Sequence, residues 1–182
     1  TGKEVASRPV GGWRCNTGDR DGDGISELYV FGSGKLIELE LGPGADLDAA
    51  TISEWSLGSE IGGVVPVAHS GGRSLLVAVA EWRGYDLRLV DIRDDGTLAL
   101  RDREKLGLLG QPRLVRRKGR PPLYAALLQH VFPSRKALGA ASPTGAPAGL
   151  YLFEVTGDGV SVFGRIELIT GDTSNLVVAD LD

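Results

Sequence analysis

Asp19, Asp21, Asp23 and Glu27 stand in the run Asp-Arg-Asp-Gly-Asp-Gly-Ile-Ser-Glu, where carboxylates recur at every second position and once more after a gap. With Asp19 as position one, they fill positions one, three, five and nine. Gly24 is position six, and Ile25 at position seven offers its backbone carbonyl. Calcium is a hard cation that takes about six to eight oxygens at roughly 2.3–2.6 Å, and a tight loop of alternating carboxylates presents them from one side. Gly22 and Gly24 allow the positive φ angles that wrapping a backbone round an ion requires. Without an ion the crowded carboxylates repel one another. The pattern therefore reads as a calcium loop, with a turn that has lost its metal as the alternative.

An EF-hand is excluded on two counts. It needs a bidentate Glu at position twelve and helices on both sides. Position twelve here is Val30, and Glu27–Gly32 (ELYVFG) is β-branched and aromatic with a glycine stop. The spacing fits a nine-residue loop between two strands.

Other reactive residue types are more scattered. Arg113, Arg116, Arg117, Lys118 and Arg120 form a basic cluster suited to a phosphate, a sulfated glycan or an acidic partner. No aromatic stacking platform is interleaved with it, and the net charge is −4, so nucleic acid is not the expected partner. His69 and His130 have no metal-like spacing partner. No nucleophile elbow, Walker loop or dinucleotide fingerprint is present. Paired carboxylates for glycosidic chemistry would have to come from Glu54, Glu81 and Asp86, which nothing in the sequence pairs. Trp13, Trp55 and Trp82 suit packing between strands, with sugar stacking as the other possibility. Arg83-Gly84-Tyr85 reads as a recognition loop. Cys15 has no partner for a disulfide and reads as a small buried hydrophobe.

The elements that must position these residues emerge from an internal repeat. Segments 13–32, 64–82 and 112–130 share a short strand, a polar hairpin tip and a more apolar strand. Aligning Gly24, Gly72 and Gly119 brings Leu28, Leu76 and Leu123 into register, at spacings of 48 and 47 residues. A second hairpin follows each, with turn signals at Asp95-Gly96 and Asp158-Gly159. The period-two alternation in KLIELEL and GVSVFGRIEL is that of half-buried strands. Four antiparallel strands in roughly 45 residues is the pattern of a propeller blade. The expected fold class is all-β, a partial β-propeller within a single domain. Its units span about 11–60, 61–110 and 111–172, and a further repeat begins at 173–182. Ser134 to Gly149 reads as an inserted surface loop. The other two tips lack the acidic pattern: His69 to Ser74 carries no carboxylate, and Arg116 to Pro121 is basic. Asp180 and Asp182 echo the first acidic loop and could open a second metal site completed by residues beyond the chain. Known propellers close with about four to eight blades, so further blades or another chain are expected to complete this one.

The run Asp19-Arg20-Asp21-Gly22-Asp23-Gly24-Ile25-Ser26-Glu27-Leu28 resembles the D-x-D-G-D-G-x-x-D-L motif of FG-GAP/VCBS repeats, the family of the integrin α-subunit propeller and of many bacterial secreted proteins. Only the first unit carries the full motif, while the repeat layout extends the resemblance over most of the chain. The resemblance implies a β-propeller with calcium held by Asp19, Asp21, Asp23, the Ile25 carbonyl and Glu27. At position nine the family usually has Asp, one methylene shorter than Glu27. The resemblance also implies an extracellular, cell-surface or periplasmic location and a non-catalytic module binding a protein or glycan. A scaffold part of a secreted polysaccharide-degrading enzyme, or a lectin, is the alternative.

Composition is compatible with this frame. The 27 Gly, 9 Pro and 6% aromatic content of the 182 residues favour many short strands over long helices. No apolar run approaches the roughly 20 residues of a membrane span. The chain opens TGKEVASRPV, without the Met or apolar core of a signal peptide, and reads as a mature or excised segment.

Overall fold

Alternating apolar residues separated by Gly and Asp turns dictate strands, and strands are what the computed structural model contains. It describes residues 12, 14–41, 50–67, 73–81, 84–128, 146–147 and 149–167. Among these, no helix occurs, and so none long and apolar enough to cross a membrane. The strands are β1 (Arg14–Gly18), β2 (Glu27–Gly32), β3 (Lys35–Glu40), β4 (Thr51–Ser56), β5 (Ile61–Pro66), β6 (Ser74–Glu81), β7 (Gly84–Ile92), β8 (Leu98–Arg117), β9 (Arg120–Leu128), β10 (Gly149–Val155) and β11 (Val160–Ile166). Every pairing between them is antiparallel.

The fold is all-β, in three four-stranded meanders. The first is the sheet β1-β2-β3-β4. The other two share the 20-residue strand β8. Its first part, from Leu98 to Leu108, pairs with β7, and its second part, from Leu109 to Arg117, pairs with β9. The unit boundary expected at 110/111 falls within two residues of this change of partner, and the chain runs through it as one strand with register shifts. Leu28, Leu76 and Leu123 all lie in the second strand of their meander, opposite Thr17, Val65 and Val115.

Two hydrophobic clusters join the meanders face to face. Tyr29, Phe31, Leu36 and Trp55 of the first pack against Ile61, Val64, Leu75, Val77, Val79 and Val90 of the second. Leu76, Leu87 and Leu89 of the second pack against Tyr124, Leu128, Tyr151 and Phe153 of the third. Successive residues of β6 thus face opposite neighbours, which explains why SLLVAVAE is continuously apolar rather than alternating. Each fully buried Leu or Phe contributes about 1.5–3 kcal/mol. Trp55 is one of the packing residues, 8% exposed, and its indole Nε1 donates to the Gly96 carbonyl at 2.7 Å, tying β4 to the β7–β8 turn. Trp13 and Trp82 lie outside the described residues.

The first strands of the three meanders lie side by side. Asn16 Nδ2 on β1 donates to the Val64 carbonyl on β5 at 2.7 Å, and Arg113 Nη1 on β8 donates to Asn16 Oδ1 at 3.1 Å. A Cβ on Gly63 would sit 2.5 Å from the Cα of Gln111, so only glycine permits β5 to approach β8 this closely. The same alternation that turns Asn16 toward β5 turns Cys15 outward. Cys15 is exposed, not buried as its residue type suggests. Gly84 and Tyr85 belong to β7, paired with Glu81 and Ala80, rather than to a recognition loop. Arg83, His69, His130, Asp180, Asp182 and most of the 134–149 segment lie outside the described residues.

Candidate metal centre

The β1–β2 connection, residues 19–26, is the acidic loop. Gly22 and Gly24 take φ of +85° and +86°, and with these turns the loop's amides point back at its own carboxylates. Asp19 Oδ1 accepts the Gly22 N–H at 2.7 Å, and Asp19 Oδ2 accepts the Gly24 N–H at 3.1 Å. Asp21 Oδ1 accepts from Asp23 N at 3.2 Å, and Asp23 Oδ1 from Ile25 N at 2.7 Å. The result is a compact group in which one carboxylate oxygen from each of Asp19, Asp21 and Asp23 lies within 4.8 Å of the others.

These donors suit a hard divalent cation. They are all carboxylate oxygens on one tight loop, Asp21 and Asp23 are exposed, and an oxygen already accepting one N–H keeps a lone pair. Repulsion between neighbouring carboxylates is about 1 kcal/mol per pair at 4 Å in water, and a bound cation would remove it.

Glu27, the expected position-nine ligand, is placed differently. It is the first residue of β2, on the face that also carries Tyr29 and Phe31, and it is 3% exposed. Its Oε2 accepts the Arg20 N–H at 2.6 Å. The Arg20 side chain folds over the same face and donates from Nε to Glu38 Oε2 at 3.1 Å, a pair whose side chains are 14% and 5% exposed. Burial holds both the Glu27 and Glu38 carboxyls above the ordinary range, opposed for Glu27 by the Arg20 N–H and for Glu38 by the Arg20 charge. Burial, and then the nearby Glu38 charge, also drive the Tyr29 phenol far above its ordinary value. The Tyr29 hydroxyl lies beside Glu38 in a geometry that falls short of a formed hydrogen bond. The structure therefore brings the three aspartates together and sets Glu27 with Arg20, Glu38 and Tyr29 in a polar group capping the first core cluster. Ile25 presents an exposed side chain at the outer end of the loop.

The sequence does signal this second group. Glu38 occupies a core-facing position of an alternating strand, two residues after the fully buried Leu36, and an arginine sits among the loop's acids.

The acidic loop also borders a cleft of about 860 Å³. Asp19 and Asp21 stand on one wall, Arg116, Arg117 and Arg120 on another, with Val65 and Leu114 between them. These walls come from the first and third meanders, about a hundred residues apart in sequence, so local spacing gives no sign of the juxtaposition. Arg113, by contrast, is drawn toward β1 by Asn16. Of the carboxylates suited by type to glycosidic chemistry, Glu54 and Asp86 are not brought together: Glu54 pairs with Lys35 on the outer part of the first meander at 2.6 Å, whereas Asp86 is buried on β7 with Arg103 3.8 Å away. The Glu81 side chain lies outside the described part of the structure. Comparison of the chain with protein-family models, with curated proteins and with solved structures returned no match.

Proposed function

We propose that this chain is part of a calcium-stabilised β-propeller of the FG-GAP/VCBS type, serving as a non-catalytic module that binds a protein or glycan outside the cytoplasm. The carrying observation is the group of three aspartates at a strand–strand tip, each fixed by main-chain amides before any ion is considered. The alignment of β1, β5 and the second part of β8 supports the propeller reading, since blades are arranged round their first strands. Further blades, or another chain, would complete the ring. In this reading Asp19, Asp21 and Asp23, with the Ile25 carbonyl, hold calcium. Glu27 joins them only by giving up its bond to Arg20; otherwise it braces the loop from the core side. The ion neutralises the tip and fixes its shape for a partner.

Calorimetric titration with calcium, paired with thermal unfolding in calcium and in EDTA, tests this. At a free calcium concentration 100 times Kd, binding to the folded state alone adds about 2.7 kcal/mol. For a chain of this size that raises Tm by about 5–11 °C. Asp21→Ala should abolish most of the rise, and an Asp21→Ala protein with the full calcium response would sink the assignment.

A further inference from the structure

Four solvent-accessible cations of the first two meanders pair with carboxylates, whereas Arg93 and Lys105 make no ion pair among the described residues. Lys35 pairs with Glu54, Arg73 with Asp94, Arg14 with Glu60, and Arg101 with Asp91. The third meander's tip is distinguished by gathering unpaired cations at one place. Arg116, Lys118 and Arg120 are exposed and make no ion pair among the described residues. Two of these three, Arg116 and Arg120, line the cleft that the acidic loop borders. Arg117, between them in sequence, is held in place: its Nε donates to the Pro121 carbonyl at 2.8 Å, and its guanidinium lies 5.1 Å from the centre of the Phe163 ring. Of the four arginines lining the cleft, Arg20 is held by Glu38 and Arg117 by Pro121 and Phe163, while Arg116 and Arg120 carry uncommitted guanidinium groups, whose forks match a carboxylate's two oxygens.

We infer that this cleft binds an acidic peptide segment, with Arg116 and Arg120 gripping its carboxylates. Besides its charged residues the cleft is lined by Pro66, Leu114 and Pro122, with Thr17 and Ser26, a mixed surface that suits small apolar side chains alternating with acidic ones. Among the described residues no aromatic ring lines the cleft, so these offer a sugar or a base no stacking surface. Asp19 and Asp21 on the opposite wall oppose an anion until they are neutralised. Resting on the calcium reading above, a cation on the loop adds two positive charges to the cleft and strengthens the peptide's binding. Coupling of this kind is typically about 5- to 150-fold and is reciprocal, so the peptide must tighten calcium by the same factor.

A fluorescein-labelled octapeptide of alternating Glu and Val, titrated with the whole 182-residue chain and read by fluorescence anisotropy, tests the inference. Calcium affinity is measured separately, without peptide, by calorimetry. The expected result is binding in calcium that weakens by at least about fivefold in EDTA. Arg116→Ala with Arg120→Ala should weaken it by about tenfold or more, as expected for lost charge-assisted hydrogen bonds. That double variant should keep the wild-type melting temperature, because both side chains are exposed. Without peptide it should bind calcium at least as tightly as the wild type, because two positive charges are removed from the cleft. If calcium binds but the peptide does not, or the double variant binds the peptide as the wild type does, the inference is overturned. Tighter binding of hexagalacturonate than of the peptide, lost in the same double variant, would also overturn it in favour of an acidic glycan. If the loop takes up no calcium while the peptide still binds through the two arginines, the cleft assignment stands and the calcium reading falls.

Discussion

Asp19 and Asp21 are both candidate calcium ligands, yet the structure gives them unequal duties in the metal-free loop. Asp19 is partly buried and accepts two main-chain amides, Gly22 at 2.7 Å and Gly24 at 3.1 Å. Asp21 is exposed and accepts one, from Asp23 at 3.2 Å. Replacing either by Ala in EDTA removes one carboxylate from a group of three and relieves two repulsive pairs. That relief is about 1 kcal/mol per pair in water before salt screening. It is large enough to mask the cost of either substitution taken alone, but nearly the same for both and so absent from their difference. What remains is the lost support of the loop's amides. At about 0.5–1.5 kcal/mol per bond, and with the Asp19 bonds shorter, Asp19→Ala should be less stable than Asp21→Ala by about 1–2 kcal/mol.

At roughly 2–4 °C per kcal/mol for a chain of this length, the two variants should melt about 2–8 °C apart in EDTA, with Asp19→Ala lower. Urea denaturation at 0.15 M and 1 M salt supplies the control: each variant's offset from wild type should change as repulsion is screened, while the gap between the variants holds. In calcium, both should lose most of the wild-type response. Variants that melt within 1 °C of each other in EDTA, or in the reverse order, would show that the loop's own amides do not pre-shape the site around Asp19.

Two further outcomes follow from the packing and the buried charges. Trp55→Phe keeps an aromatic ring between the first two meanders but loses the 2.7 Å bond to Gly96 and leaves a small void. It should cost about 2–3 kcal/mol in urea denaturation, and a loss below 0.5 kcal/mol would contradict Trp55's place in that core. Glu104, on β8, has its carboxyl raised by burial, opposed by the Lys105 N–H and assisted by the Asp102 and Asp86 charges. A folded-state carboxyl above its unfolded value favours the folded protein at low pH, and that advantage fades as pH climbs from about 4.5 through the raised value. Glu104→Gln keeps an oxygen for Lys105, so it should gain stability relative to wild type as pH rises from 4.5 to 7; a relative loss over that range would refute the assigned direction.

What the sequence made legible is what local spacing controls. Alternation located the strands, Asp95-Gly96 and Asp158-Gly159 marked turns, and the every-other-residue aspartates had to converge because eight residues join β1 to β2. What it hid depends on which face of a strand meets a neighbour. Cys15 is exposed because Asn16, one residue on, is the side chain turned to β5. Glu27 looks like the last member of an acidic loop, but the strand has already begun there, and its alternation puts Glu27 on the side of Tyr29 and Phe31. The unit boundary expected at 110/111 lies within two residues of the change of partner at 108/109. Nothing local shows that one unbroken strand carries it, because a strand that serves two partners in succession has the same composition as one that serves a single partner.

The contrast between the first and third tips bears on why a metal would be needed at only one of them. β8 turns into β9 through Lys118 and Gly119 alone, with Arg117 opposite Arg120 and Gly119 at φ +65°. A turn that short is fixed by its own backbone and has no interior in which to hold an ion. Its side chains are consequently free to be basic. The first tip spans residues 19–26, too long to be set by one turn, and its amides are satisfied by the very carboxylates that repel one another. Loop length and charge are therefore linked. The long tip is pre-shaped by acids that a cation would complete, the short tip needs none, and the cleft between them places opposite charges on facing walls. Lengthening the third tip would remove its reason to be metal-free, and shortening the first would remove the site while leaving the β1–β2 pairing intact.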